Sequence, residues 1–590
     1  MRALWASTGY CLALALAAWP GHASAEEDDP PPPPPNFVQE APAPKRAPVP
    51  AATPVPLPAA ATAVASDQPA VPPAGGKAGA VPPAAGTAVA RPVVKTPPKR
   101  SDRFIEGELA NVGAMGLVPW QNRLGVVLGV ERIGDQYFGA VTPEFNWSST
   151  LADRPITMSL GVPIRLELYD SRPDKAWNAL GNLRTDDWNE PSDFAQVIRQ
   201  LQYGGKEEHF YLDINAFKAS TLGHGTQLRR YNPNVNLNTR RVSAQLDGFG
   251  DYGGAETFLN DVTAPNVMGA LVFFKPLSFI DRKNYLLRSF SLGASAVADL
   301  DAPLRNRLDL SDVDDDGRRV REYEIDQKSF QPVYLSTQVV AYGADVEIKL
   351  VDTPAVDWKT YVDGSWLVSG LPTDNPDAPG FVHVPTREVR PGGATWGHLL
   401  RLNLGENRRH ALRFRAEARL YEGNYLPGYF DVLYEVQRVQ YRLDKRWADP
   451  NGTKLQQVLG RPTDRMVGGG YLEASWKAGD WFAFAAGLEV NDLTPDNHLF
   501  VHMEVPRWEN LQLLATLHRR NATAAAELVA WNSTASDLLL VKARYRLADW
   551  LHINAEALTP YGIGPDSFFK HVVDFNMNLE LGFGYGGGAQ

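Results

Sequence analysis

Near the C-terminus the chain alternates strictly over thirteen positions. Val573, Phe575, Met577, Leu579, Leu581, Phe583 and Tyr585 interleave with Asp574, Asn576, Asn578, Glu580, Gly582 and Gly584. A period of two puts every apolar side chain on one face of an extended strand and every polar or tiny one on the other; a helix would scatter them around its axis. The pattern recurs. Leu412, Phe414, Ala416, Ala418 and Leu420 alternate with Arg413, Arg415, Glu417 and Arg419, and Tyr342, Ala344, Val346, Ile348 and Leu350 with Gly343, Asp345, Glu347 and Lys349. Leu539, Val541, Ala543, Tyr545 and Leu547 alternate with Leu540, Lys542, Arg544 and Arg546, and Leu551, Ile553, Ala555 and Ala557 with His552, Asn554 and Glu556. Less regular stretches near 138–147, 156–168, 242–249 and 268–274 read the same way. The pattern predicts about 16 to 20 strands, with 18 the central expectation. One segment breaks it: Phe194, Val197, Ile198 and Leu201 fall at helical spacing, with Ser192 or Asp193 to cap and Gly204 to stop. It predicts a short helix that either folds inward or packs within a long loop.

Two all-β architectures accept such strands. A soluble sandwich turns its apolar face inward, whereas a membrane barrel turns it to lipid and lines its lumen with the charged face. Strands of nine to thirteen residues match the roughly 9–11 needed to cross a bilayer at a tilt. Connections alternate short and long. Lys477–Trp481 and Leu547–Trp550 are compact turns carrying an interfacial tryptophan, while 171–206, 302–332, 369–395 and 444–467 are long. The body, 104–590, thus resembles the Gram-negative outer-membrane β-barrel proteins. The resemblance implies an antiparallel transmembrane barrel of about eighteen strands, an outer-membrane location and contact with membrane lipid. Barrels of this class commonly end on an aromatic residue. Here Phe583 and Tyr585 are followed by a glycine-rich tail, 586–590.

The start of the chain has a different character. Arg2, an apolar run through Trp19 and Ala23-Ser24-Ala25 fit a cleaved export signal over 1–25. Its apolar run is too short to span a bilayer. Residues 26–103 are rich in Pro and Ala, open on the unbroken run Pro30 to Pro35, and are expected to be a disordered periplasmic tail sampling polyproline II. Such a tail serves either as a spacer or as a tether to peptidoglycan or another periplasmic partner. The single cysteine, Cys11, lies in the signal region, which excludes a disulfide scaffold and a cysteine-rich zinc site in the body. A net charge of -10 argues against a nucleic-acid partner.

Candidate chemistry is sparse. Asp312, Asp314 and Asp316 before Gly317 have the spacing of half an oxygen-rich calcium loop, but Tyr323 stands where an EF-hand needs its bidentate acid. They leave a structural calcium in an outer loop, or a solvated acidic loop; no other cofactor is expected. Gly223, His224 and Gly225 flank one histidine with two glycines, suiting a loop or constriction element more than catalysis, because no nucleophile or orienting acid lies adjacent in sequence. Arg401, Arg413, Arg415, Glu417, Arg419, Lys542, Arg544 and Arg546 are expected on lumen-facing sides of late strands. They form either a basic path for anions or, with Asp345 and Glu347, a mixed interior that neutralises itself. No catalytic set is apparent, so the chain is not expected to be an enzyme. The expected function is a channel or export conduit for polar, anionic cargo such as polysaccharide. The competing expectation is a non-conducting envelope scaffold in a motility or secretion complex.

Overall fold

The computed structural model describes residues 111–584, apart from 120–121, 134–135, 171–180, 207, 236–239, 282, 310–321, 326–331, 370–390, 405–409, 443–447, 462–464, 480, 493–496, 509, 523–524, 529–536, 560, 564–568 and 572–573. The export signal, the proline-rich stretch, Asp312, Asp314, Asp316 and Tyr585 lie outside the described residues. Among those described, no helix is long and apolar enough to cross a membrane.

Twenty strands close into one antiparallel barrel. They begin with β1 (Arg123–Ile133), β2 (Gln136–Leu151) and β3, which runs as Arg154–Gly161 and resumes as Ile164–Asp170. Both pieces of β3 pair along the same edge of β2, Glu144 opposite Gly161 and Val141 opposite Ile164. The break falls at Val162-Pro163, where proline has no N–H to give the ladder. Next come β4 (Ile198–Tyr203), β5 (Phe210–Asn215), β6 (Ser243–Phe249), β7 (Gly253–Leu259), β8 (Val267–Phe274) and β9 (Ser291–Asn306). The tall wall follows: β10 (Tyr334–Asp352), β11 (Val356–Ser369), β12 (Gly392–Leu404), β13 (His410–Glu422), β14 (Met466–Ala478) and β15 (Phe482–Asn491). The last five are β16 (Asn497–Trp508), β17 (Leu511–Ala522), β18 (Asp537–Ala548), β19 (Leu551–Leu558) and β20 (Asp574–Gly584). Each strand pairs with its sequence neighbours. The seam closes where β1 meets β20, from Arg123 opposite Gly584 to Val130 opposite Met577. A closed barrel leaves no unpaired edge for lipid to solvate.

Twenty strands fall within the expected 16 to 20, two above the central value of 18; β4 and β5 have only six residues each. One expectation is corrected. The helix expected through Leu201 stops early: only Pro191–Ala195 is helical, and Ile198–Tyr203 is β4. Leu201 lies between Met158 on β3 and Ile214 on β5, so both edges of this backbone are hydrogen-bonded in the wall. That satisfaction on both sides outweighs a local helical spacing.

The alternation sets the two faces. On β13, Arg413, Arg415, Glu417, Arg419 and Tyr421 are buried inside, while Phe414 and Leu420 are exposed outside. On β14, Tyr471 and Glu473 point inward and Leu472 is 60% exposed. On β20, Glu580 is buried, whereas Phe575, Met577, Leu579 and Phe583 face out. An apolar exterior around a charged interior inverts the order of a soluble protein and is the arrangement of a membrane-spanning barrel. One rim carries the short turns 353–355, 479–481 and 549–550, with Trp481, Trp508 and Trp550 exposed there. Both ends of the barrel, Arg123 and Gly584, lie at this short-turn rim. The opposite rim carries the long connections between β3 and β4, β5 and β6, β9 and β10, β11 and β12, and β13 and β14.

Candidate functional site

Three segments fold into the lumen. The described residues of 216–242 and those of 423–461 enter from the long-loop rim, and 111–119 lead in ahead of β1. The first two meet in a two-residue parallel bridge, Leu228 beside Phe430 and Arg229 beside Asp431. Around it, Tyr231, Phe430 and Tyr434 pack with Phe258, Leu271, Val297, Val339 and Leu367 of the wall in one buried apolar cluster. Ala114 and Met115 join a second cluster with Val432, Leu433, Leu514 and Leu540. The lumen therefore holds an ordinary hydrophobic core, assembled from loops against inward-facing apolar positions. The 111–119 segment is bonded twice to the first plug segment: the Met115 amide donates to the Phe217 carbonyl at 2.7 Å, and Asn232 Nδ2 to the Gly113 carbonyl at 3.0 Å.

Ion pairs seat this plug. Within it, the Tyr231 hydroxyl donates to Glu435, whose carboxylate also accepts from Arg241 Nη1 at 3.0 Å. Burial alone would raise the Glu435 pKa, but Arg241 and Arg438 outweigh it and hold it below the usual carboxylate range. Against the wall, Glu473 gathers three guanidinium groups: Arg230 at 2.7 Å, Arg229 at 3.2 Å and Arg413 at 3.2 Å. The Arg229 guanidinium lies 3.6 Å from the centre of the Tyr471 ring. Glu417 accepts from Arg415 Nε at 2.6 Å and Arg419 Nε at 2.9 Å, and Arg419 Nη1 reaches Glu489 at 2.5 Å. Arg413, Arg415, Glu417 and Arg419 thus face inward, but under the plug and paired with carboxylates.

His224 sits at the tip of the first plug segment, with both ring nitrogens bonded to the wall. Nδ1 is 2.7 Å from Asp363 on β11, and Nε2 is 2.7 Å from Glu347 on β10. Burial would depress its pKa, yet the two carboxylates raise it to about 9, so it is an imidazolium near neutral pH. Its ring stacks on Tyr361 with centres 4.0 Å apart, its carbonyl accepts from Arg415, and the Gly223 amide donates to Glu256 at 3.0 Å. Gly223 and Gly225 both have positive φ, 54° and 78°, and a side chain on Gly223 would meet Leu271 at 2.8 Å. The glycines are required because the tip turns sharply against the wall. Both ring nitrogens of His224 are occupied.

The other side of the lumen is different. Between the plug and the strands β1–β3 and β18–β20 lies a cavity of about 350 Å³. Arg132, Arg165, Arg199, Arg240, Arg241, Lys542 and Arg544 line it, seven basic side chains against three acidic ones, Glu131, Glu144 and Glu556. Asn554, Asn576 and Asn578 add amides. Several charges are paired: Arg165 with Glu131 at 2.7 Å and Asp187 at 3.0 Å, Lys542 with Glu556 at 2.7 Å, and Arg544 with Glu580 at 3.2 Å. Arg401 faces inward half-buried on β12. Arg546 lies near the short-turn rim, with Nε donating to Asn510 at 2.9 Å. The sequence pattern singled out Lys542 and Arg544 but missed Arg165, Arg199, Arg240 and Arg241, which sit on irregular strands or in the plug. It also missed Glu473, whose pairing depends on barrel register.

The closed barrel, its apolar exterior and its charged lumen are the architecture of a membrane-spanning β-barrel. No family model matches the chain, and no curated protein matches it. Solved structures do align over most of it at low overall similarity. The ferric-catecholate import receptor Fiu of E. coli K12, in its closed form, shares 9% identity over 79% of this chain and 82% of its own, with a TM-score of 0.32. OccAB4 of Acinetobacter baumannii shares 8% identity over 78% and 96%, with a TM-score of 0.26. CdiB of Acinetobacter baumannii shares 9% identity over 79% of this chain, which spans only 60% of CdiB, with a TM-score of 0.23.

Proposed function

We propose that the barrel is a plugged conduit that passes polar, anionic cargo along its cavity side, with an acidic polysaccharide as the leading cargo. The observation that carries this reading is the lining of that cavity, seven basic side chains to three acidic. Guanidinium and ammonium groups spaced around an aqueous path attract anions and repel cations, and amides such as Asn554 and Asn578 suit hydroxylated cargo. The passage involves no chemistry, so the protein acts as a transporter and not as an enzyme. The proline-rich tail, exported behind its leader, works on the periplasmic side as a tether to peptidoglycan or to a partner.

Single-channel recording of the refolded chain in a planar bilayer tests this, with the reversal potential read in a salt gradient. Anion-selective steps are expected, and their selectivity should fall when Arg199 and Lys542 are changed to Glu. Cation selectivity in the unaltered protein would overturn it. One observation favours a second reading, a non-conducting scaffold: the buried core that fills the rest of the lumen. Deleting residues 26–100 separates the two, because a conduit keeps its conductance while a scaffold loses its partners.

A further inference from the structure

On adjacent strands of the packed wall, Asp345 of β10 stands directly opposite Asp363 of β11, and both side chains point inward and are buried. Like charges directly opposite on neighbouring strands destabilise a sheet unless positive charge lies between them. The tip of the plug closes over this pair, and His224, Asp345 and Asp363 bring their ligand-type atoms within 4.8 Å of one another. A small void of about 20 Å³ remains there, bordered by both carboxylates, Thr226 and Gln227. That is roughly the space of one water molecule or one bare ion. Gln227 borders it at 5% exposure, and its carbonyl oxygen Oε1 is buried without a hydrogen-bond partner. A buried acceptor left unsatisfied marks the place of a donor or cation, because desolvating it is costly.

We propose that Asp345, Asp363 and Gln227 Oε1 hold one hard divalent cation of the calcium class, locking the plug tip to the wall. Oxygen donors with two carboxylates select calcium or magnesium over the softer transition metals. His224 orients the site rather than ligating the ion, since its two nitrogens are spent on Asp363 and Glu347. Thr226 Oγ1 donates to the second oxygen of Asp363 and fixes that carboxylate from the plug side.

Isothermal titration of the refolded, chelator-stripped full chain with calcium chloride, alongside its melting temperature, tests the site. We expect one calcium per chain, a melting temperature that rises with calcium, and weaker binding of magnesium. Asp345→Asn should weaken calcium by at least about tenfold, and Gln227→Leu, which keeps both carboxylates, should weaken it several-fold. If Asp345→Asn does not fold, Gln227→Leu decides alone. Absence of stoichiometric binding overturns the site. So does binding that survives these variants but disappears when Asp312, Asp314 and Asp316 are changed to Asn, which would move the ion to that loop.

Discussion

The lumen has two sides built on opposite principles. Against β7–β17 the plug packs as a protein interior does, with Tyr231, Phe430 and Tyr434 in the core and Arg229, Arg230, Arg413, Arg415 and Arg419 paired with Glu473 or Glu417. Against β1–β3 and the 542–544, 554–556 and 576–578 stretches of β18–β20 it leaves polar space, lined by seven basic and three acidic side chains. Buried ion pairs give little net stability but strongly penalise the loss of one partner, whereas partly hydrated pairs give little and lose little. The pairs on Glu473 are therefore committed to one arrangement, while the Lys542–Glu556 pair, with side chains 17% and 23% exposed, can part at little cost.

The strongest way to break this contrast is to remove the plug. Replacing 424–464 by a short Gly/Ser linker should raise single-channel conductance several-fold if the packed side blocks the lumen; unchanged conductance would show that ions already pass on the other side alone. Next in size, Glu473→Gln strands three guanidinium groups and should cost about 3–5 kcal/mol in urea unfolding from lipid vesicles. Glu556→Gln, whose partner Lys542 is partly hydrated, should cost about 1 kcal/mol or less. Equal costs would erase the distinction between the sides. A lipid-facing change, Leu472→Arg, checks the exterior and should cost about 2–4 kcal/mol if that position lies near the bilayer midplane. The smallest effect concerns acid. Because the folded-state pKa of Glu435 is depressed, its contribution is complete above the unfolded value of about 4.3 and fades as pH falls through the folded one. Conductance noise from a loosening plug should therefore be absent at pH 5 and emerge only in stronger acid.

Strict alternation made much of the wall legible. β13, β18 and β20 emerge on the expected residues because a membrane barrel gives each inward and outward position an opposite solvent. The early wall was harder to read. β4 and β5 have six residues each, Pro163 splits β3, and the spacing of Phe194, Val197, Ile198 and Leu201 fits a helix as well as a strand. The plug was not legible at all. Tyr429, Phe430 and Tyr434 form an apolar run that could equally face lipid, and only the barrel's dimensions leave it the interior. Gly223, His224 and Gly225 stood out as a motif, but the residues that give His224 its charge lie 123 and 139 positions away. Local sequence identifies the tip; strand register supplies its partners.

The segment 111–119 has a mechanical consequence. Asn111 bonds Glu504, the Gly113 carbonyl accepts from Asn232, Met115 bonds Phe217, and the Val118 carbonyl accepts from Arg544. Tension applied to the chain ahead of Asn111 would load these four links one after another, peeling them rather than shearing them together. Two of them end on residues 216–242, so part of that force is delivered to the plug and part to the wall.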